Sequence, residues 1–207
     1  MNLSIYFVTP DGWLSRRAAL EALVLAAARG GATMVQLRDK QASDAEMAEA
    51  ARWLKARLAP LGVPLIVNDR VEVMRASGAD GVHVGQTDAP AAETRRRIGS
   101  DRVLGLSIET EAQLAAMPAG IVDYIGIGPL RSTASKTDAA TPLGIERLAG
   151  IVRASPVPAV AIGGVGLADI PALKACGTAG MAVILAIAAA AAPEAAARAL
   201  AEGWAAR

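Results

Sequence analysis

The chain has one cysteine and one histidine in 207 residues. Cys176 has no partner for an internal disulfide, which fits a reducing compartment, so a cytoplasmic protein is expected. The lone His83 leaves no zinc-type His/Cys spacing and no Ser-His-Asp arrangement. Charge of one sign is also missing: 21 basic residues against 20 acidic ones leave a net charge of +1. No overall field draws nucleic acid or an anionic membrane, so an anion must be held by a local cluster. Long hydrophobic runs are scarce. The longest uncharged one, Ala179 to Ala192, stops at Pro193 and is shorter than the ~20 residues of a membrane span. It reads as a strand followed by an alanine-rich helix. Met1-Asn2-Leu3-Ser4-Ile5 carries no basic stretch, so no leader peptide is expected.

With 53% apolar and 20% charged residues the composition is that of a globular protein. The length suits one domain, residues 1–207, burying roughly 70% of the surface of the unfolded chain. Short β-branched runs recur throughout: Leu3–Val8, Thr33–Leu37, Pro64–Val67, Gly81–Val84, Val103–Leu106, Tyr124–Ile127, Ala159–Ile162 and Met181–Leu185. Helical stretches follow them: Ser15–Arg29, Ser43–Leu58, Val71–Ala76, Ala89–Ile98, Glu109–Met117, Leu143–Ala154, Leu167–Ala175 and Glu194–Trp204. Ser43 with Glu46 three residues on predicts a capping box. The runs are apolar at nearly every position, as in parallel strands covered on both faces. Eight such units predict an α/β fold, a single-domain (β/α)8 TIM barrel. An open doubly wound sheet competes, but Thr9-Pro10-Asp11-Gly12 stands where a glycine-rich dinucleotide loop would follow the first strand.

The active site of such a barrel lies at the carboxyl ends of its strands. After the second run, Gln36, Arg38 and Lys40 fall on one side of an extended segment, with Leu37 and Asp39 on the other. Arg38 and Lys40 suit a phosphate clamp; a solvated loop with incidental charges is the plainer reading. Asn68-Asp69 follows the third run and Asp88 the fourth. Neighbouring strands can bring Asp69 and Asp88 to one Mg²⁺, a cation that keeps part of its water shell; each could instead cap a helix. Ser107, after the fifth run, could donate to a phosphate oxygen or cap the next helix. The hydroxyl-rich loop 128–142 holds Thr133, Ser135 and Lys136 and suits a phosphate-binding lid. Gly163-Gly164, after the seventh run, would let backbone N–H groups approach a monophosphate, or would form a tight turn needing positive φ. His83 reads as a hydrogen-bonded core residue more readily than as a catalyst. Two anion sites, a metal and no evident base or nucleophile point to diphosphate as a leaving group.

These residues carry a resemblance over essentially the whole chain. Gln36-Leu37-Arg38-Asp39-Lys40, Asn68-Asp69, His83-Val84-Gly85-Gln86-Thr87-Asp88, Gly105-Leu106-Ser107, Gly126-Ile127-Gly128-Pro129, Thr133-Ala134-Ser135-Lys136 and Ala161-Ile162-Gly163-Gly164 closely resemble the thiamine-phosphate synthase family. The resemblance implies a Mg²⁺-dependent barrel enzyme. Its partners would be two phosphorylated small molecules, an aminopyrimidine-methyl diphosphate and a thiazole phosphate, joined to thiamine phosphate as diphosphate leaves. It implies that Gln36, Arg38, Lys40 and Asn68 bind the pyrimidine substrate and that Asp69 and Asp88 hold Mg²⁺. It further implies that Ser107 and Lys136 contact diphosphate, with Arg38, Lys40, Ser107 and Lys136 carrying the catalysis. Thr133, Ser135 and backbone N–H groups at Gly164, Ile184 and Leu185 would bind the thiazole phosphate. The chain departs from the family at Leu185, often Ser, at Glu109, often His, and at Arg131-Ser132, often aromatic-Pro. The competing functions are a thiazole tautomerase-like barrel and a non-enzymatic binder of a phosphorylated precursor. Alanine-rich helix faces would suit packing between copies in a homo-oligomer.

Overall fold

A computed structural model describes residues 1–132 and 141–206. Eight parallel strands close a barrel in chain order, and the eighth pairs with the first. They are β1 (Ile5–Val8), β2 (Met34–Leu37), β3 (Leu65–Asn68), β4 (Gly81–Val84), β5 (Val103–Ile108), β6 (Tyr124–Ile127), β7 (Ala159–Ala161) and β8 (Gly180–Val183). The helices among the described residues are α1 (Arg17–Arg29), α2 (Asp44–Leu58), α3 (Val71–Ser77), α4 (Ala91–Ile98), α5 (Glu111–Ala116), α6 (Gly144–Ala154), α7 (Ile170–Ala175), α8 (Leu185–Ala188) and α9 (Pro193–Ala205). None of them is long and apolar enough to cross a membrane.

The strands are buried on both sides, as their unbroken apolar character predicts. One set of alternate residues, including Ile5, Phe7, Val35, Leu37, Leu65 and Val67, packs outward against the helices. The other points into the barrel, where Leu3, Tyr6, Met34, Ile66, Tyr124 and Val160 make a separate inner core. Toward the carboxyl ends this inner set turns polar. Gln36, Asn68, His83 and Ser107 continue the inward-facing rows of β2, β3, β4 and β5. The capping box forms as expected: Ser43 N–H donates to Glu46 Oε2 at 2.8 Å, and Glu46 N–H donates to Ser43 Oγ at 3.3 Å.

Several element ends differ from the sequence expectation, and those at the carboxyl ends of the strands matter most. β3 runs on to Asn68, which is therefore a strand residue. β5 runs on to Ile108, so Ser107 is a strand residue and not the first residue of a loop. The cap of α5 is Thr110, whose side chain accepts from Gln113 N–H, which removes the capping role considered for Ser107. β8 stops at Val183, and the apolar run continues as the separate helix α8. A short apolar run has no period that tells a strand from one helical turn, so composition alone could not place this break.

Candidate active site

The carboxyl ends of the strands open onto a cavity of about 630 Å³, within the usual range for small-molecule sites. Its wall includes Gln36, Arg38, Lys40, Asn68, Asp69, Asp88, Ser107, Gly163, Gly164, Ile184 and Leu185. Every described residue singled out in the sequence therefore meets at one site. Thr133, Ser135 and Lys136 lie outside the described residues.

The alternation after β2 is realised. Gln36, Arg38 and Lys40 face this cavity, whereas Leu37 joins the outer core and Asp39 lines a different surface cleft. Arg38 is 3% exposed, so its guanidinium has left bulk water, at an effective cost of several kcal/mol for an ion without compensation. Asp11, in the loop after β1, supplies part of that compensation. Its carboxylate accepts from Arg38 Nη1 at 2.6 Å and from the Lys40 backbone N–H at 3.1 Å. The buried Arg38 Nε–H has no hydrogen-bond partner among the described residues. Asp11 was missed in the sequence because an irregular loop offers no spacing that points its carboxylate at β2.

Asp69 and Asp88 are not helix caps. The N-cap of α3 is Arg70 and that of α4 is Pro90. Asp88 Oδ2 instead accepts from Gly85 N–H at 2.7 Å, closing the turn after β4. Asp69 has φ 62°, the one positive value at a non-glycine among the described residues. Holding a residue there costs on the order of 1–3 kcal/mol, and such conformers cluster at functional sites.

The cavity floor carries a chain of hydrogen bonds that runs across the barrel. Gln36 Nε2 donates to Tyr6 Oη at 2.7 Å, and the Tyr6 and Tyr124 hydroxyls meet at 2.9 Å. Tyr124 Oη lies 2.9 Å from His83 Nδ1, and His83 Nε2 lies 2.9 Å from Ser107 Oγ. Burial holds both phenols well above their ordinary pKa, so they stay protonated. His83 is thus a hydrogen-bonded interior residue that also faces the cavity. The two tyrosines escaped the sequence reading because each reads as one more apolar position in a strand. The available signal was that they are the only tyrosines in the chain.

Gly163 and Gly164 have φ of 77° and 68°, so the tight-turn reading holds. A Cβ on Gly163 would lie 2.4 Å from that of Pro129, so this close approach admits no side chain. Arg131 ties the neighbouring loop down through Nη1 to Gly164 O at 3.1 Å and through both Nη atoms to Asp169. Ile184 and Leu185 open α8 beside this turn. Leu185 is 47% exposed and offers no hydroxyl, so only its backbone can meet a phosphate there.

Comparison with known proteins agrees with this geometry. A family profile described as "Thiamine monophosphate synthase" matches residues 5–187. A "Thiamine-phosphate synthase" from Xanthobacter autotrophicus is 45% identical over 199 residues, covering 96% of this chain and 94% of the relative. One from a Roseiflexus species is 46% identical over 197 residues, covering 95% of this chain and 83% of the relative. The solved structure of a "Thiamine phosphate pyrophosphorylase" from Pyrococcus furiosus superposes with a TM-score of 0.86 at 29% identity, covering 97% of this chain and 95% of that one. With its barrel and its cavity residues in the expected order, this chain belongs to the thiamine monophosphate synthase family of enzymes.

Proposed function

We propose that the chain joins 4-amino-2-methyl-5-(diphosphooxymethyl)pyrimidine to thiazole phosphate, forming thiamine phosphate and releasing diphosphate. The observation that carries this reading is Arg38: a guanidinium 3% exposed, on a cavity wall, with Nε–H unpartnered among the described residues. An unsatisfied buried donor on a fixed cation calls for an anionic oxygen from a ligand. Lys40, two residues on along the same side, would add a second, mobile point charge.

The charged side chains on the described cavity wall are Arg38 and Lys40 against Asp69, Asp88 and Glu109. Asp69 and Asp88 disfavour a bare diphosphate beside them, and a bound cation would offset this. Among the described residues no group of three His, Cys, Asp or Glu could hold a metal. Two carboxylates suit Mg²⁺, which takes oxygen ligands and completes its shell with water and substrate phosphate. Asp69 and Asp88 would hold it, and its chemistry would be to neutralise charge on the departing diphosphate.

In the reaction the C–O bond between the pyrimidine methylene and diphosphate breaks, and the electron pair leaves with diphosphate. The thiazole nitrogen lone pair then forms the new C–N bond to the pyrimidine-stabilised cation. Arg38, Lys40 and Ser107 hold the leaving oxygens, Gln36 and Asn68 orient the pyrimidine, and the backbone at Gly164, Ile184 and Leu185 holds the thiazole phosphate. Electrostatic stabilisation of the departing charge is the catalytic device, so no general base is needed. Thr133, Ser135 and Lys136 fit as further phosphate contacts.

The test is incubation with both precursors, with and without Mg²⁺, and mass detection of product. Thiamine phosphate is expected only with both substrates and the metal. Arg38→Ala and Asp69→Ala should each lower turnover by roughly 10²–10³-fold, the size seen when one charge-stabilising group is lost. Absence of product from the folded protein, or turnover of thiazole phosphate alone, would overturn the assignment. Undiminished turnover in both variants would overturn the site.

A further inference from the structure

The hydrogen-bond chain across the barrel floor has a direction. It begins at an amide, Gln36 Nε2, which can only donate, so Tyr6 Oη accepts there. Each phenol has one hydrogen to give. If Tyr6 gives its hydrogen to Tyr124, then Tyr124 gives its own to His83 Nδ1. Nδ1 is then the bare nitrogen of a neutral imidazole, and the ring hydrogen sits on Nε2, facing Ser107 Oγ at 2.9 Å. The opposite order would give Tyr6 two incoming donors and leave its own buried hydroxyl hydrogen without an acceptor among the described residues.

A second observation shows that the fold makes room for this contact. A Cβ on Gly105 would lie 2.4 Å from His83 Nδ1, 2.4 Å from Tyr124 Oη and 2.2 Å from Tyr124 Cζ. The Tyr124–His83 pair thus occupies the space that any side chain at Gly105 would fill.

We infer that Tyr6, Tyr124 and His83 are positioning residues that lock His83 as its Nε2–H tautomer and so commit the Ser107 hydroxyl to donate into the cavity. Ser107 Oγ makes no other side-chain hydrogen bond among the described residues, and it lies on the cavity wall. Once Ser107 accepts from His83, its own hydrogen is available to a ligand acceptor. On the function proposed above, that acceptor is an oxygen of the diphosphate, whose negative charge grows as the C–O bond breaks. A serine free to turn its hydrogen toward His83 would hold this anion less well.

His83 is the only histidine, so its two ring nitrogens can be read by ¹⁵N NMR of the uniformly labelled whole protein without ligand. The expected spectrum has a pyridine-like Nδ1 and a pyrrole-like Nε2. The reverse pattern, with hydrogen on Nδ1, would overturn the inference whatever the enzyme makes. Tyr124→Phe removes the donor to Nδ1 and should move both resonances toward averaged values. It should also lower kcat by roughly three- to tenfold, the worth of about one hydrogen bond, with KM for the pyrimidine substrate little changed. Unchanged resonances in that variant would overturn the relay. Tyr6→Phe breaks the chain one link further away and should give a smaller change of the same sign. It serves in place of Tyr124→Phe if that variant does not fold. An Nε2–H tautomer in a protein that makes no thiamine phosphate would uphold the relay and refute the function. An Nδ1–H tautomer in an active synthase would do the opposite.

Discussion

Replacing Gly105 by alanine should be far more costly than a one-methyl change at a strand residue suggests. The added Cβ would sit 2.2 Å from Tyr124 Cζ and 2.4 Å from both Tyr124 Oη and His83 Nδ1. Tyr124 is fully buried and hydrogen-bonded to both Tyr6 and His83, and His83 also meets Ser107, so neither ring can shift without breaking the chain of hydrogen bonds. Forcing one methyl into a packed interior costs about 1–3 kcal/mol. Prising Tyr124 from His83 leaves buried polar groups unsatisfied, which adds about 1–3 kcal/mol. The expected loss is therefore roughly 2–6 kcal/mol. For a chain of this size each kcal/mol lowers Tm by roughly 2–4 °C, so a mid-range loss is a drop on the order of 10 °C.

The matched control is Gly150→Ala, in the middle of α6, where a Cβ meets nothing within 4 Å. Alanine there improves helix propensity and restricts the unfolded chain, so a gain of about 0.4–1 kcal/mol is expected. Urea unfolding followed by far-ultraviolet circular dichroism measures both, provided the slopes match wild type. The same chemical change then gives opposite signs at two glycines. A Gly105→Ala protein within about 0.5 kcal/mol of wild type, inside the range of an ordinary surface substitution, would refute the packing of the floor described above.

Two further substitutions separate framework from chemistry. Asp169, held below its ordinary pKa of 3.8 chiefly by the Arg131 guanidinium, contributes stability above that value and loses it as pH falls through its lowered pKa. Asp169→Asn should therefore shift the urea midpoint at neutral pH but converge with wild type in strong acid, and an offset constant with pH would contradict this. Arg95 donates to the backbone carbonyls of Gly99, Arg102 and Ile121 and to Asp123, all at the amino-terminal side of β5 and β6. Arg95→Ala should cost about 1–3 kcal/mol in denaturant unfolding while kcat stays at the wild-type value. A fall in kcat without a fall in stability would show that this end of the barrel takes part in the chemistry.

Much of the barrel was legible in the sequence because strand burial is a property of single runs. Val35 and Leu37 face helices while Met34 and Gln36 face inward, and both rows must suit an interior. The same alternation placed Gln36, Arg38 and Lys40 on the cavity side and sent Asp39 elsewhere. The Ser43 and Glu46 caps were equally local. Asp69 and Asp88 were ambiguous, since an acid before a helix is by default a cap. What removed that role was geometry: Arg70 and Pro90 occupy the cap positions, and Asp69 sits at positive φ.

The floor of the site was not legible, for a reason that follows from its construction. Tyr6 and Tyr124 are 118 residues apart and meet only because β1 and β6 face one another across a closed cylinder. No periodicity within a four-residue strand encodes that meeting. Its trace in the sequence is negative: the small residues Gly81, Gly105 and Gly126 at inward positions of β4, β5 and β6. In a sheet glycine is a weak strand former, so an inward row of glycines is expected where another side chain needs the volume. At Gly105 the Tyr124 ring from β6 and the His83 ring from β4 fill it, at Gly126 the His83 ring again comes close, and at Gly81 the neighbouring Val103 backbone does. The hydroxyl of Tyr124 reaches His83 through the space a Gly105 side chain would occupy. Gly105, a glycine at an inward strand position, is thus the residue whose missing side chain marks the polar contact, whereas the tyrosines themselves look like core.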